Sequence, residues 1–305
     1  MWGTIADGFG LGEIKGIARV EGGLSHEMWK VATASGTFAV KVMRAHADAP
    51  DFRENIEAAF IVEKNAFEAG IPCPEPVATA EGRALLRVEG EFVRAHRWCE
   101  GEVPHPREHL EDAGSLLARI HRVGGQSVQM LEDRPRDVRA WSALAARPEL
   151  PVPLAERLRS AAPELARLEA ATTAGALATA HVDSHGDLDP KNALVSSGRL
   201  LAVDWDAAGP RPIAREAVTL ALDWSEDVDG FRRVLSAYTE ASGTTVPGEA
   251  WVLGGWVQAL TGWLAFTLER QADTGLGRHE AAATCERLLA LHRSVDEYVS
   301  ALAAQ

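Results

Sequence analysis

His185-Gly186-Asp187-Leu188-Asp189-Pro190-Lys191-Asn192, followed by Val203-Asp204-Trp205-Asp206, is the stretch on which the reading of this chain turns. Between the two blocks, Ala193-Leu194-Val195 and 200–203 are apolar runs flanking Ser196-Ser197-Gly198-Arg199, a turn-forming cluster, so the segment predicts a β-hairpin. Closing that hairpin returns Asn192 and Asp204 to neighbouring strand ends. Two oxygen-bearing side chains so placed suit a hard cation such as Mg²⁺, which keeps positions for substrate phosphates. Asp187 lies one tight loop upstream. Its carboxylate is placed to accept or orient the proton of an incoming hydroxyl while the cation neutralises charge on a transferred phosphoryl group.

These segments resemble the catalytic loop and metal-binding segment of the aminoglycoside phosphotransferase and choline kinase superfamily, small-molecule kinases with a protein-kinase-like fold. The resemblance reaches the N-terminal part and covers most of the chain. It implies a bilobal α+β fold, with an antiparallel-sheet N-terminal lobe over residues 1–97 and a mainly helical C-terminal lobe over 98–305. It also implies ATP and Mg²⁺ as cofactors. Asp187 becomes the catalytic carboxylate, Asn192 and Asp204 the metal ligands, and His185 a support for the loop. Asp206 is read either as a further supporting acid or as an ordinary cap.

The N-terminal third fits that expectation. Residues 17–20, 28–32 and 37–43 read as three consecutive strands, with Glu21-Gly22-Gly23-Leu24-Ser25-His26 as the first turn. Glycines there let backbone amides approach a phosphate, which makes Gly23 and Ser25 candidate nucleotide contacts; a plain hairpin turn is the alternative. Ser25-His26 stands where many relatives have Ser-Asn. Lys41, in Ala39-Val40-Lys41-Val42, resembles the strand lysine that pairs nucleotide phosphates in kinases. Downstream, Ile56, Phe60, Glu63 and Phe67 share one helical face. A carboxylate on an apolar stripe needs a partner, so Glu63 is expected to pair with Lys41, with Glu57 the second choice. Residues 84–88 and 91–96 read as another hairpin. The following Arg97-Trp98-Cys99-Glu100-Gly101 resembles the hinge between lobes, and Arg97 and Cys99 are adenine contacts by that resemblance alone.

Beyond Pro104 the spacing predicts helices over 110–122, 140–146, 153–171, 214–225, 231–241, 250–271 and 281–302. The uncharged run 251–268 approaches the ~18 residues of a membrane span. Its glycines, Gln258 and threonines, and the absence of a basic cluster beside it, argue instead for a buried helix with Trp251, Trp256 and Trp263 in a core.

At 305 residues and 46% hydrophobic content the chain is long enough to bury a large core. Its net charge of -13 disfavours nucleic acid and anionic membrane as partners and attracts cationic small molecules; an acidic surface that merely aids solubility is the alternative. Cys73, Cys99 and Cys285 are widely spaced and contain no Cys-x-x-Cys pair, which fits neither a disulfide framework nor a zinc site. With no basic start and apolar run at the N-terminus, a cytoplasmic protein is expected.

Asp189 occupies the place where a serine/threonine kinase loop carries lysine, which shifts the expectation toward small molecules. Asp189, Asp223 and Glu226, the last two in an acidic group with Asp227 and Asp229 beside Trp224, are candidate contacts for an ammonium-bearing substrate. The leading expectation is an ATP-dependent phosphotransferase acting on a hydroxyl of a cationic antibiotic, aminoglycoside or cyclic peptide, and so conferring resistance. A metabolic kinase of choline, a sugar or an amino sugar is an alternative. So are a metal-dependent hydrolase built on His181, Asp183, His185 and Asp187, and a nucleotide-binding pseudokinase.

Overall fold

A computed structural model describes residues 1–21, 26–44 and 47–304. In chain order the helices and strands begin with α1 (Trp2–Gly8), β1 (Ile14–Val20), β2 (His26–Thr33), β3 (Gly36–Met43) and α2 (Phe52–Glu68). Next come β4 (Pro76–Val77), β5 (Leu86–Val88), β6 (Glu91–Arg97), α3 (Leu110–Val123), β7 (Gln126–Glu132), α4 (Val138–Ala145) and α5 (Val152–Ala171). Then follow β8 (Ala176–Ser184), β9 (Ala193–Ser196), β10 (Arg199–Ala202), β11 (Gly209–Pro212), α6 (Ile213–Trp224), α7 (Val228–Ser242), α8 (Gly254–Arg270) and α9 (Gly275–Ala303). An antiparallel sheet occupies the N-terminal part and helices dominate the C-terminal part, the α+β arrangement expected.

The chain divides into two compact units, Met1–Asp112 with Leu116–Gly125 and Val182–Arg211, and Ala113–Ser115 with Gln126–His181 and Pro212–Gln305. This is not the division at 97/98. The β9–β10 hairpin groups with the N-terminal sheet because backbone bonds hold it there: Ala202 N donates to Pro72 O at 2.9 Å, and Glu102 and Val195 exchange bonds of 3.1 and 2.8 Å.

In the first unit the strand order is β1-β2-β3-β6-β4, with β5 also on β6. Alternation sorts the central strands' side chains. Val40, Val42, Val93 and Ala95 face one way and bury with Ile5, Phe9, Leu11 and Phe38; each large apolar side chain removed from water contributes about 1.5–3 kcal/mol. Met43 faces the other way and packs with Ile56 and Phe60 of α2 and with Ala84 and Leu85. Lys41 and Arg94, directly opposite each other on β3 and β6, share that second face. Phe67, expected on the buried stripe of α2, is 37% exposed, since Gly70 (φ +79°) and the turn beyond end the helix there.

The second unit is built on α4, α5, α8 and α9, whose Trp141, Leu158, Leu165, Trp256, Leu264, Cys285 and Leu288 form one core. No helix among the described residues is long and apolar enough to cross a membrane. The run read as one helix over 250–271 is a 3-10 turn (Ala250–Leu253) followed by α8. Gly254 starts α8 where a Cβ would lie 2.4 Å from Thr172 O and 2.6 Å from Arg215 Nη2. Trp263 is a correction: it is 41% exposed and stacks on Phe266.

Candidate active site

The loop after β8 is organised by short-range bonds. Gly186 sits at φ +81°, and a Cβ there would come within 2.4 Å of Ala207 O. His185 is fully buried; its Nε2 lies 2.9 Å from Val203 O, an acceptor only, so Nε2 carries the hydrogen. Nδ1 is then the acceptor for the Asp187 N–H at 3.3 Å. The ring also packs 4.6 Å from that of Trp205. One imidazole therefore joins the loop that carries Asp187 to the segment that carries Asp204. Asp189 caps the 3-10 turn Pro190–Asn192, its Oδ1 accepting from Asn192 N at 3.1 Å and its Oδ2 lying 2.6 Å from Lys191 Nζ. Asn192 Nδ2 in turn donates to Asp187 O at 2.8 Å and Asp187 Oδ2 at 2.7 Å.

The predicted hairpin forms with Ala202 opposite Ala193 and Arg199 opposite Ser196. Ser197 (φ 50°) and Gly198 (φ 72°) make the two-residue left-handed turn that suits the twist of paired strands. Past its open end Val203 N donates to Asn192 O at 2.9 Å, so Asp204 begins beside Asn192. Asp204 is left-handed (φ 63°, ψ 63°), a conformation costing about 1–3 kcal/mol outside glycine. Its Oδ1 reaches Lys41 Nζ at 2.6 Å.

Lys41 also meets Asp206 Oδ2 at 2.8 Å. Asp206 Oδ1 accepts from Arg94 Nη1, Arg94 Nη2 donates to Glu63 Oε2 at 2.6 Å, and Glu63 Oε1 lies 3.0 Å from His96 Nε2. Burial opposes every charge in this chain of contacts, and the pairing overrides it. The Lys41 ammonium is raised because the Asp206 and Asp204 carboxylates outweigh its desolvation. Burial pushes Asp206 up, but Lys41 and Arg94 hold it well below the usual carboxylate range. Glu63 is likewise lowered, against its own burial, by His96 and Arg94.

The expected Lys41–Glu63 pair is corrected by these contacts. Both oxygens of Glu63 are taken by β6, because Arg94 stands beside Lys41 and nearer the helix carboxylate, and Lys41 is held by the Asp-Trp-Asp segment instead. Glu57, the second choice, accepts from the Ala84 and Leu85 amides at 2.9 and 3.2 Å. The side chain of Arg97 is occupied by Ser35 O at 2.9 Å and the Phe38 ring at 4.7 Å, and Cys99 is half-buried with its thiol pushed up by burial. Gly23 and Ser25 lie outside the described residues.

The acidic group near Trp224 is committed elsewhere. Asp223 accepts from Trp256 Nε1 at 2.8 Å and Arg287 Nη2 at 3.0 Å, Asp227 caps α7, Asp229 pairs with Arg232, and Trp224 is core; Glu226 follows α6 in the same unit. The His/Asp run gives no metal cluster. His181 Nδ1 turns to its own strand at Thr179 O, 3.0 Å, and no group of three or more His, Cys, Asp or Glu among the described residues is placed to hold an ion. Arg94 and His96 are members of this chain of contacts that sequence reasoning left unassigned; Asp206, read as a supporting acid or a cap, pairs with Lys41 and Arg94. The only signal was period-2 placement of Phe92, Arg94 and His96 opposite Val93 and Ala95.

A family model described as a phosphotransferase enzyme family matches residues 16–254. The chain belongs to that family. Homoserine kinase of Pseudomonas aeruginosa is 26% identical to this phosphotransferase over 285 residues, 88% of this chain and 85% of the relative. Homoserine kinase of Methylobacillus glycogenes is 26% identical over 234 residues, 74% and 69% of the two chains. Among solved structures, a spectinomycin phosphotransferase in complex with ADP and spectinomycin superposes with a TM-score of 0.63 at 12% identity, over 94% of this chain and 96% of that one. A choline/ethanolamine kinase family protein from Mesorhizobium loti gives 0.62 at 17% identity, over 99% and 98%. At such identities the likeness is one of fold. The protein is a phosphotransferase of the small-molecule kinase type, with a hydroxyl group as acceptor.

Proposed function

We propose that this phosphotransferase moves the terminal phosphoryl group of ATP to the hydroxyl of a small amino acid or amino alcohol, with homoserine the first substrate to assay. The observation that carries this reading is the bonded sequence Asp187–Asn192, then Asn192–Val203 through the backbone, then Asp204–Lys41, all in one compact unit. The acceptor class is supported by homoserine kinases matching over as much as 88% of the chain.

The donor set fits Mg²⁺ and a polyphosphate. Among the described residues, Asn192 bonds through its side-chain nitrogen and Asp204 through Oδ1 alone, which leaves a hard oxygen on each for a divalent ion. Mg²⁺ at these two residues would neutralise charge gathering on the transferred phosphoryl group. Asp187, its carboxylate steadied by Asn192, receives the proton of the acceptor hydroxyl. Lys41 stays an ammonium and meets phosphate oxygens. Main chain at 97–99 is assigned to adenine, and Gly23 and Ser25 to phosphate. Asp189 shapes the loop rather than touching an acceptor, as its two bonds to residues 191 and 192 support.

A cationic antibiotic is the second reading, favoured by the net charge of -13. Asp223 gives it little support, its carboxylate being bonded to Trp256 and Arg287. An ATP-consumption screen over homoserine, choline, an aminoglycoside and a cyclic peptide antibiotic, with mass analysis of the product, separates the two. Phosphohomoserine supports the first reading, a phosphorylated antibiotic the second. Metal-dependent ester cleavage without ATP rejects both.

A further inference from the structure

We propose that Arg94 is a positioning residue that acts through Asp206 on Lys41; this rests on the ATP-dependent reading above. In protein kinases a helix carboxylate pairs directly with the strand lysine. Here the helix carboxylate Glu63 grips Arg94 at 2.6 Å, Arg94 grips Asp206, and Asp206 reaches Lys41 at 2.8 Å. The register makes this arrangement necessary. Lys41 and Arg94 stand directly opposite on β3 and β6, so two cations meet on one buried face and repel unless carboxylates stand between them.

The planar guanidinium fork of Arg94 spans from α2 to the Asp-Trp-Asp segment with one nitrogen on each acid. The effect on Asp206 is specific. Its Oδ1 is fixed by Arg94, which turns Oδ2 toward Lys41 and, at 3.6 Å, toward His26 Nε2. His26 Nδ1 accepts from Arg44 N at 3.0 Å, so the hydrogen of a neutral ring lies on Nε2, facing Asp206. With Asp206 taking a share of the ammonium, Lys41 engages Asp204 through Oδ1 alone, and the ammonium is aimed from two sides. Without the fork, Asp206 is free to turn, Lys41 collapses onto Asp204, and the lysine no longer addresses phosphate from a fixed place.

Arg94→Lys keeps the charge and loses the fork; Asp206→Asn keeps the shape and loses the charge. Expected for both, in enzyme shown folded by circular dichroism, is a KM for ATP raised about tenfold, the factor that 1.4 kcal/mol represents, with KM for the acceptor unchanged. Titration of ADP with Mg²⁺ by calorimetry weakens in parallel, and the double variant adds little to either single one. Should Arg94→Lys fail to fold, Asp206→Asn carries the same readouts. The proposal is overturned if folded variants lose thermal stability but keep wild-type KM for ATP and nucleotide affinity, or if the acceptor KM rises equally. Absence of ATP turnover by the wild type with every acceptor would instead overturn the proposed function.

Discussion

Asp187→Asn tests the chemistry at its centre. The carboxylate is nearly half exposed, at 48%, and its bond from Asn192 Nδ2 at 2.7 Å survives the change, because an asparagine oxygen accepts as a carboxylate does. The loop is tied by His185, Asp189 and the Asp187 carbonyl, none of which the substitution touches. Stability should therefore shift by less than about 1 kcal/mol, the net worth of one ordinary hydrogen bond. What disappears is the proposed proton acceptor. General-base assistance contributes about 10²- to 10⁴-fold, so kcat should fall by that factor, equivalent to about 2.7–5.4 kcal/mol at 1.36 kcal/mol per decade. KM for ATP should stay near the wild-type value, since Lys41, Asn192 and Asp204 are intact. The assay is ADP release coupled to NADH oxidation, with homoserine as acceptor and melting temperature measured in parallel. A variant that retains half the wild-type kcat would refute the role given to Asp187, and one that melts far lower would show that the loop depends on the negative charge.

Other outcomes follow from the same contacts. Gly186→Ala forces a Cβ to within 2.4 Å of Ala207 O at φ +81°, so kcat should drop about 10²-fold, as expected for a catalytic group displaced by about 1 Å, in steady-state kinetics. Glu63→Ala leaves the buried Arg94 without its helix partner and should cost about 3–5 kcal/mol in urea unfolding; a loss under 1 kcal/mol would mean that Arg94 finds another acid. Burial pushes the carboxyl of Asp133 up, yet bonds from Arg215, the Ala174 amide and Gln258 hold it down at about 2. A lowered folded-state value means stability present above the unfolded carboxylate range near ~4 and lost as pH falls from there toward about 2. Unfolding free energies of wild type and Asp133→Asn should differ most above pH ~5 and converge in acid; parallel curves would exclude Asp133 as the source.

What was legible in the sequence is what short-range chemistry encodes. The apolar arms of the hairpin and its turn at Ser197-Gly198 act within a few residues, and the structure pairs them as expected, whereas the equally local Asp189 cap was read as a substrate contact and Gly186 was not read at all. Beyond that range the reading weakened for identifiable reasons. β8, Ala-Leu-Ala-Thr-Ala-His-Val-Asp-Ser, is too rich in alanine to announce a strand, and β7 leaves five of its first five residues exposed, so neither gave a clean alternation. α1 is short, and only its burial against the β3–β6 sheet fixes it. Arg94 was passed over because an arginine alternating with valine and alanine describes an ordinary strand with one face in water. That face is covered by α2, and α2 brings an acid.

The same fact explains why Glu63 was correctly read as needing a partner and paired with the wrong one. A one-dimensional pattern states that a carboxylate on a buried stripe must be neutralised; it does not state which of two cations on adjacent strands stands nearer. Strand register decides that, and register is set by all the pairings of β3 with β6, from Phe38 opposite Arg97 to Met43 opposite Phe92. Shifting β6 by one residue would turn Arg94 into the valine-lined core and leave Glu63 and Asp206 as facing acids with no arginine between them. The ion chain and the hydrophobic face thus enforce one register from opposite sides of the same sheet. It follows that Arg94→Lys should disturb nucleotide binding before it disturbs the fold, because Val40, Val42, Val93 and Ala95 still specify the pairing when the fork is gone.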